Sequence, residues 1–299
     1  MSLAEVLPTP EFSGASLSSS AMLVELGISV WTARKLDKRA SNDVTASNHA
    51  AKGMANVNKR LLDCDELTAI QKFAGNARTS HYAMTLPWSD SGLRMLPTSK
   101  YFDYTKQMSD LQAQFGRLVQ NFLDEYQWEI NAVQIKLGNM FNANEYPSTE
   151  KVSSKFGFRL NYIPLPDAGD WRVDIGNQQV AELQEQYATF YNAQFERAMG
   201  DIWARANEAL TRMSERLDYG TNEDKKVFRN SLVENVVDLI DVMESMNITG
   251  DSNMQMQAKR LKTAMRDVTP EALREDAMLR ISTKKAVDQV IASLPSLDL

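Results

Sequence analysis

Apolar side chains recur every three or four residues from 102 to 141 and again from 179 to 217, and they alternate with polar ones between 158 and 175. A helix repeats about every 3.6 residues and a strand every two. The pattern therefore predicts two long helices joined by a small β element. On the first helix Met108, Leu111, Phe115, Leu118 and Phe122 form one stripe, which Tyr126, Val133, Leu137 and Met140 continue. On the second, Leu183, Tyr187, Phe190, Phe195, Met199, Ile202, Ala206, Ala209, Met213 and Leu217 do the same. Such spacings mark a coiled-coil-like seam, so the two helices are expected to lie against each other. Gly116 and Gly138 each cost about 1 kcal/mol inside a helix, so either packing offsets that cost or Gly138 marks the approach to the helix end.

Val24, Leu26, Ile28 and Val30 alternate with Glu25, Gly27, Ser29 and Trp31, which reads as a strand with one buried face. Phe158, Leu160 and Tyr162 read as another, ended by Pro164 and Pro166, with Trp171, Val173 and Ile175 as the return strand of a hairpin. A lone hairpin is marginal in water, so a three-stranded sheet with residues 24–31 is expected. Residues 50–62 and 65–83 read as helices, the second capped by Asp65. Residues 86–100, with Pro87, Gly92 and Pro97, read as a long loop. Gly220 suits a helix end and Asn222 a start. Leu232, Val236, Leu239, Ile240 and Met243 then mark a helix that Thr249, Gly250 and Asp251 break. Further helices are expected over 254–268, after the Thr269–Pro270 cap, and after Ser282 or Thr283.

The fold class expected is mainly α: a long antiparallel coiled-coil-like helix pair, additional helices, and a small antiparallel β-sheet of about three strands. Residues 1–20, rich in Ser and Pro, are expected to be a flexible leader. Residues 21–220 would form a helical hairpin or stalk with a small β head, and 221–299 a C-terminal helical bundle.

Composition changes this picture little. The 299 residues are 43% hydrophobic and 24% charged, ordinary for a folded protein. A formal charge of −6 argues against wholesale nucleic-acid binding. The single cysteine, Cys64, has no internal disulfide partner and fits a reducing compartment. No apolar run approaches the roughly 20 residues of a membrane span. With Glu5 in place of a basic start, no secretory signal is expected. The expected location is the cytoplasm. The 15 methionines suit helical cores or adaptable contacts. Met254 and Met256, two apart, cannot face the same core.

Candidate chemistry is sparse. His49 and His81 lie in no HExxH motif and near no second ligand at metal spacing, so His81 is read as a capping or surface residue. GxxxxGK[ST], GxGxxG and GxSxG loops are missing, and Ser16, Ser18, Ser19 and Ser20 have no nearby base. Glu182 with Glu185, Asp124 with Glu125, and Glu234 with Asp238 and Asp241 read as solvated helix faces, since a di-metal bundle needs ExxH motifs as well. No catalytic residue, metal or cofactor is expected. Arg34, Lys35, Lys38 and Arg39 follow Trp31, and Lys52, Lys59 and Arg60 add to them. Such a basic, aromatic-flanked stretch is the candidate binding segment. Its competing reading is a solvated connector that balances acidic helices. Lys259, Arg260, Lys262 and Arg266 read as a helix face.

The segments LGISVWTARKL at 26–36, FRLNYIPLP at 158–166 and WRVDI at 171–175 carry a family resemblance. Over about 23–217 the chain resembles an uncharacterised domain family of phages and bacteria, whose members are often encoded near MoxR-type AAA+ ATPases and von Willebrand A-domain proteins. The resemblance implies a phage or mobile-element origin and a role beside a ring ATPase. It brings no catalytic residues, and only the Trp31, Arg34, Lys35 stretch carries over as characteristic. The function expected is a non-enzymatic interaction or assembly protein that binds a protein partner or itself. The alternatives are a DNA-transaction protein that binds or anneals single strands, and an inhibitor of a host defence protein. An enzyme with a dispersed site stands as a further class.

Overall fold

The computed structural model describes residues 17–165, 177–219 and 228–295. In chain order the elements are α1 (Leu17–Ser20), β1 (Ala21–Ser29), β2 (Arg34–Leu36), α2 (Lys38–Ser47), β3 (Asn58–Arg60), α3 (Asp65–Ala83), β4 (Leu86–Pro87) and β5 (Arg94–Pro97). Then follow α4 (Tyr101–Leu137), α5 (Thr149–Ser153), β6 (Gly157–Pro164), α6 (Asn177–Leu217), α7 (Ser231–Ser245), α8 (Ser252–Ala264), α9 (Pro270–Glu275) and α10 (Ala277–Ile291). The protein is mainly helical, with a small antiparallel sheet. The chain forms two compact units. The first comprises Met1–Glu25, Ala83–Phe102 and Tyr162–Leu299, and the second Leu26–Tyr82 and Asp103–Asn161.

The larger sheet has four strands in the order β4-β5-β1-β6, and β2 pairs with β3 separately. The strand expected over 24–31 is β1, and the one expected at 158–162 is β6, which lies beside it. The return strand expected at 171–175 lies outside the described residues, as do Gly220, Asn222 and the leader before Leu17. Two further strands come from the stretch expected to be a loop. Here β5 pairs antiparallel with β1, from Ala21↔Pro97 to Val24↔Arg94, and β4 pairs with β5. Strands of two and four residues are too short to show an alternation, which is why 86–100 read as a loop. Residues 50–62 are also not helical. A turn bonds Met54 N–H to Ala51 C=O, Gly53 sits at φ +90°, and the chain then enters β3. A positive φ ends right-handed helical geometry, and glycine adopts it without strain.

The two long helices are present. Gly138, at φ +51°, closes α4 as its position implied. Within each unit, their buried faces have the following neighbours. Phe115, Phe122, Tyr126 and Val133 of α4 belong to the core of the second unit, with Leu67, Ile70, Ala74 and Ala77 of α3 and with Trp31, Val152 and Phe158. Tyr191, Phe195, Ile202, Ala206, Leu210, Met213 and Leu217 of α6 belong to the core of the first unit, with Val236, Leu239 and Met243 of α7, Leu261 of α8 and Val287 of α10. Within each unit, shorter helices and strand residues thus bury these side chains. A seam at three- and four-residue spacing fits any packed neighbour, so periodicity alone does not name the partner. Phe190, expected on the seam, is exposed.

In the C-terminal helices the caps set the boundaries. The Asp251 carboxylate accepts from Asn253 and Met254 N–H to start α8. Thr269 Oγ1 accepts from Ala272 N–H ahead of Pro270, as the sequence implied. The last helix starts at Ala277, earlier than Ser282 or Thr283, because Asp276 caps Met278 and Leu279 N–H. Met254 is buried and Met256 exposed, as their spacing requires.

Candidate functional site

The basic segment after Trp31 folds into the second unit, and its residues part company. Trp31 is only 8% exposed, and its ring packs on Phe122 (centroids 6.4 Å apart) and edge-on to Tyr126 (5.9 Å). It is a core residue, so within the candidate binding segment its ring is not presented to solvent. Arg34, Lys35, Lys38 and Arg39 are exposed.

Pairing in the β2–β3 ribbon sets Arg34 opposite Arg60 and Lys35 opposite Lys59. Cross-strand partners share a face, so one face of the ribbon carries two guanidinium groups and the other two ammonium groups. The second pair is neutralised. Lys59, with its side chain 6% exposed, lies 2.6 Å from Glu145 Oε2 and 3.6 Å from Asp37 Oδ2, and it donates to Met140 C=O at 2.8 Å. Lys35 reaches the other Glu145 oxygen at 3.6 Å. On the guanidinium face Arg60 lies 3.3 Å from Asp63, which Lys136 of α4 also approaches at 3.8 Å. Arg34, Lys38 and Arg39 have no carboxylate partner among the described residues.

Beside Lys59 an open groove of about 710 Å³ is lined by Asp37, Arg39, Asp43, Lys59, residues 139–143 and Glu145. Asp37 is the N-cap of α2, where it accepts from Ala40 N–H at 3.0 Å. That hydrogen bond, with the Lys59 charge beside it, holds the Asp37 carboxyl below the usual carboxylate range. Both carboxylates facing Lys59 are thus tied to one ammonium, so the groove's ionic groups serve packing before chemistry.

The histidines fall elsewhere. His49 sits exposed at φ +52°. His81 is buried, with Nδ1 2.8 Å from Tyr104 Oη, which corrects its reading as a surface or capping residue. No cluster of three or more His, Cys, Asp or Glu suited to a metal ion occurs among the described residues. Cys64 is buried, and desolvation pushes its thiol above the ordinary range. Glu234, Asp238 and Asp241 line the exposed face of α7, and Glu185 is exposed on α6.

Two residues that the sequence reading passed over stand out. Trp128 is 65% exposed and Ile135 87% exposed, both on α4. Seven residues apart, they share the helix face roughly opposite Phe122, Tyr126 and Val133. A tryptophan on the polar side of an amphipathic helix was the available signal; the core stripe masked it. Glu125 and Glu129 flank Trp128. Burial and the neighbouring Glu66 charge raise the Glu129 carboxyl above its ordinary value.

Among the described residues no helix is long and apolar enough to cross a membrane. No curated protein and no solved structure matches the chain. A family model described as "protein of unknown function (DUF3150)" matches residues 19–218, from within α1 to just past the end of α6. The chain belongs to this DUF3150 family.

Proposed function

We propose that the chain is a non-enzymatic, phage-type protein–protein interaction or assembly protein that acts in the host cytoplasm. One observation supports this: Trp128 and Ile135 stand in solvent on a 37-residue helix whose opposite side is pinned in a core. Burying large aromatic and aliphatic side chains from rigid elements drives protein association. The partner class that the family resemblance implies is a AAA+ ATPase of MoxR type. Purified chain and ATPase, mixed in a binding assay, are expected to associate, and Trp128→Glu with Ile135→Glu is expected to abolish the complex. A complex indifferent to both changes would remove α4 from the reading.

A second reading, single-stranded DNA binding, draws on the facing guanidinium groups of Arg34 and Arg60 and on the exposed Lys38 and Arg39. Such binding must weaken steeply with salt, because neutralised phosphates release counterions. An oligonucleotide titration at two salt concentrations, repeated with Arg34, Lys35, Lys38 and Arg39 changed to Ser, tests it. Binding unaffected by these changes sinks it.

A further inference from the structure

Trp128 and Ile135 lie on one face of α4, two helical turns or about 10 Å apart, with Ala132 between them. One flank of this stripe is charged in an ordered way. Glu125 and Glu129 sit at its N-terminal end and Lys136 at its C-terminal end. Acid is reinforced by Asp65 and Glu66 of α3, whose charges, with that of Glu125, raise the Glu129 carboxyl further after burial. Base is reinforced by Arg60, which shares Asp63 with Lys136, and Arg34 lies opposite Arg60 in the ribbon. The other flank carries the neutral amides Gln127, Asn131 and Gln134.

A surface with an apolar centre, an acidic end and a basic end complements itself under a two-fold axis. We propose that this face of α4 is a dimer contact between two copies of the chain, with Trp128 of one copy packed on Ile135 of the other in antiparallel register. The axis then falls between Asn131 and Ala132. In that register Lys136 of the second copy lies level with the interval between Glu125 and Glu129 of the first, on the same flank. Each charge pair occurs twice, as do paired e and g positions in a coiled coil. The exposed Lys136–Asp63 contact is a weak surface pair and yields readily to a partner carboxylate. A two-turn stripe buries less than the roughly 1,200 Å² of standard interfaces, so the dimer is reversible. The inference rests on the interaction-protein reading above and names the partner as a second copy.

Sedimentation equilibrium of the full chain at low salt tests it. The expected result is a reversible monomer–dimer equilibrium that weakens at least about thirtyfold with Trp128→Ala, the loss typical of a central tryptophan. Glu125→Lys and Lys136→Glu each weaken it about fivefold, and the two together in one chain restore it, because the swapped charges again face each other. Far-UV circular dichroism and melting are expected to be unchanged, since all three side chains are exposed. A monomer at every concentration overturns the proposal, as does a dimer indifferent to Trp128→Ala or a charge-swapped variant as weak as the single changes. A monomer that binds a different protein through Trp128 overturns this inference and leaves the interaction reading standing. A monomer whose tryptophan fluorescence is quenched by single-stranded oligonucleotide in a Trp128-dependent way overturns it in favour of nucleic acid.

Discussion

Lys59 Nζ lies 2.6 Å from Glu145 Oε2, so a three-residue strand is tied to the turn after α4 across 86 positions of sequence. Both side chains are largely shielded from water, at 6% and 15% exposure. Removing one partner of such a pair strands the other charge. Lys59→Met is therefore expected to lower the stability of the second unit by about 3 kcal/mol. Lys35→Met, at its more exposed cross-strand neighbour, should cost at most about 0.5 kcal/mol. Urea unfolding, read with hydrogen exchange at β3 and α2, compares the two.

Trp31 offers the opposite contrast to its basic neighbours. Its ring fills the core against Phe122 and Tyr126. Trp31→Ala is expected to destabilise the second unit by about 3–5 kcal/mol through a large cavity, whereas Arg34→Ala should change stability by no more than about 0.5 kcal/mol. Denaturation midpoints of the two variants check this. Near-equal effects would return Trp31 to the surface.

The Asp37 cap gives α2 an acid sensitivity. Its carboxyl is held below the ordinary value by the Ala40 N–H first and by Lys59 after it. A depressed folded pKa means that the unfolded chain binds the proton first as pH falls. The stabilisation is complete above the ordinary aspartate range, near pH 4, and is lost as pH drops through the lower folded value. Amide exchange in α2 is expected to accelerate below about pH 4. In Asp37→Asn, which keeps a capping oxygen without the titration, that pH dependence should flatten.

Tyr126 titrates in the opposite sense. Its hydroxyl donates to Pro147 C=O at 2.9 Å, and desolvation raises its pKa to about 12. The unfolded tyrosine ionises near pH 10. The stabilisation is fully present below that value and is lost as pH rises toward 12. Thermal melting between pH 8 and 11 should show a falling midpoint, and Tyr126→Phe should remove part of the slope. Tyrosinate absorbance gives an independent reading of the same ionisation.

Residues 231–291 carry their own helices, yet Val236, Leu239, Met243 and Val287 share a core with Ile202, Leu210 and Met213 of α6. Truncation after residue 220 would expose that side of α6. Each uncovered large aliphatic or methionine side chain forfeits about 1.5–3 kcal/mol of burial, so the truncated chain is expected to aggregate. Light scattering of the purified fragment settles the point.

Helices were legible wherever periodicity ran long or a cap stood at the edge. Asp65 to Ala83, the stop at Gly138, the Thr269–Pro270 start and the α7 stripe all follow from local rules that act within a few residues. The strands β2, β3, β4 and β5 were not legible, because two to four residues hold no measurable period and their pairing is non-local. The basic segment was legible as charge. Which of its members face water was not: Trp31 and Lys59 are buried by contacts with Phe122 and Glu145, and outside that segment His81 is buried against Tyr104, all distant in sequence.

Local chemistry in the chain determined a mainly helical protein with two long amphipathic helices, a strand near each, and no motif of known catalysis. Tertiary structure alone decided which neighbours within each unit bury those helices and which apolar residues remain in water. An apolar stripe specifies that a helix face will be buried without specifying by what. The choice of partner, and the exposure of Trp128 and Ile135 on the far side of α4, depend on packing summed over the whole fold.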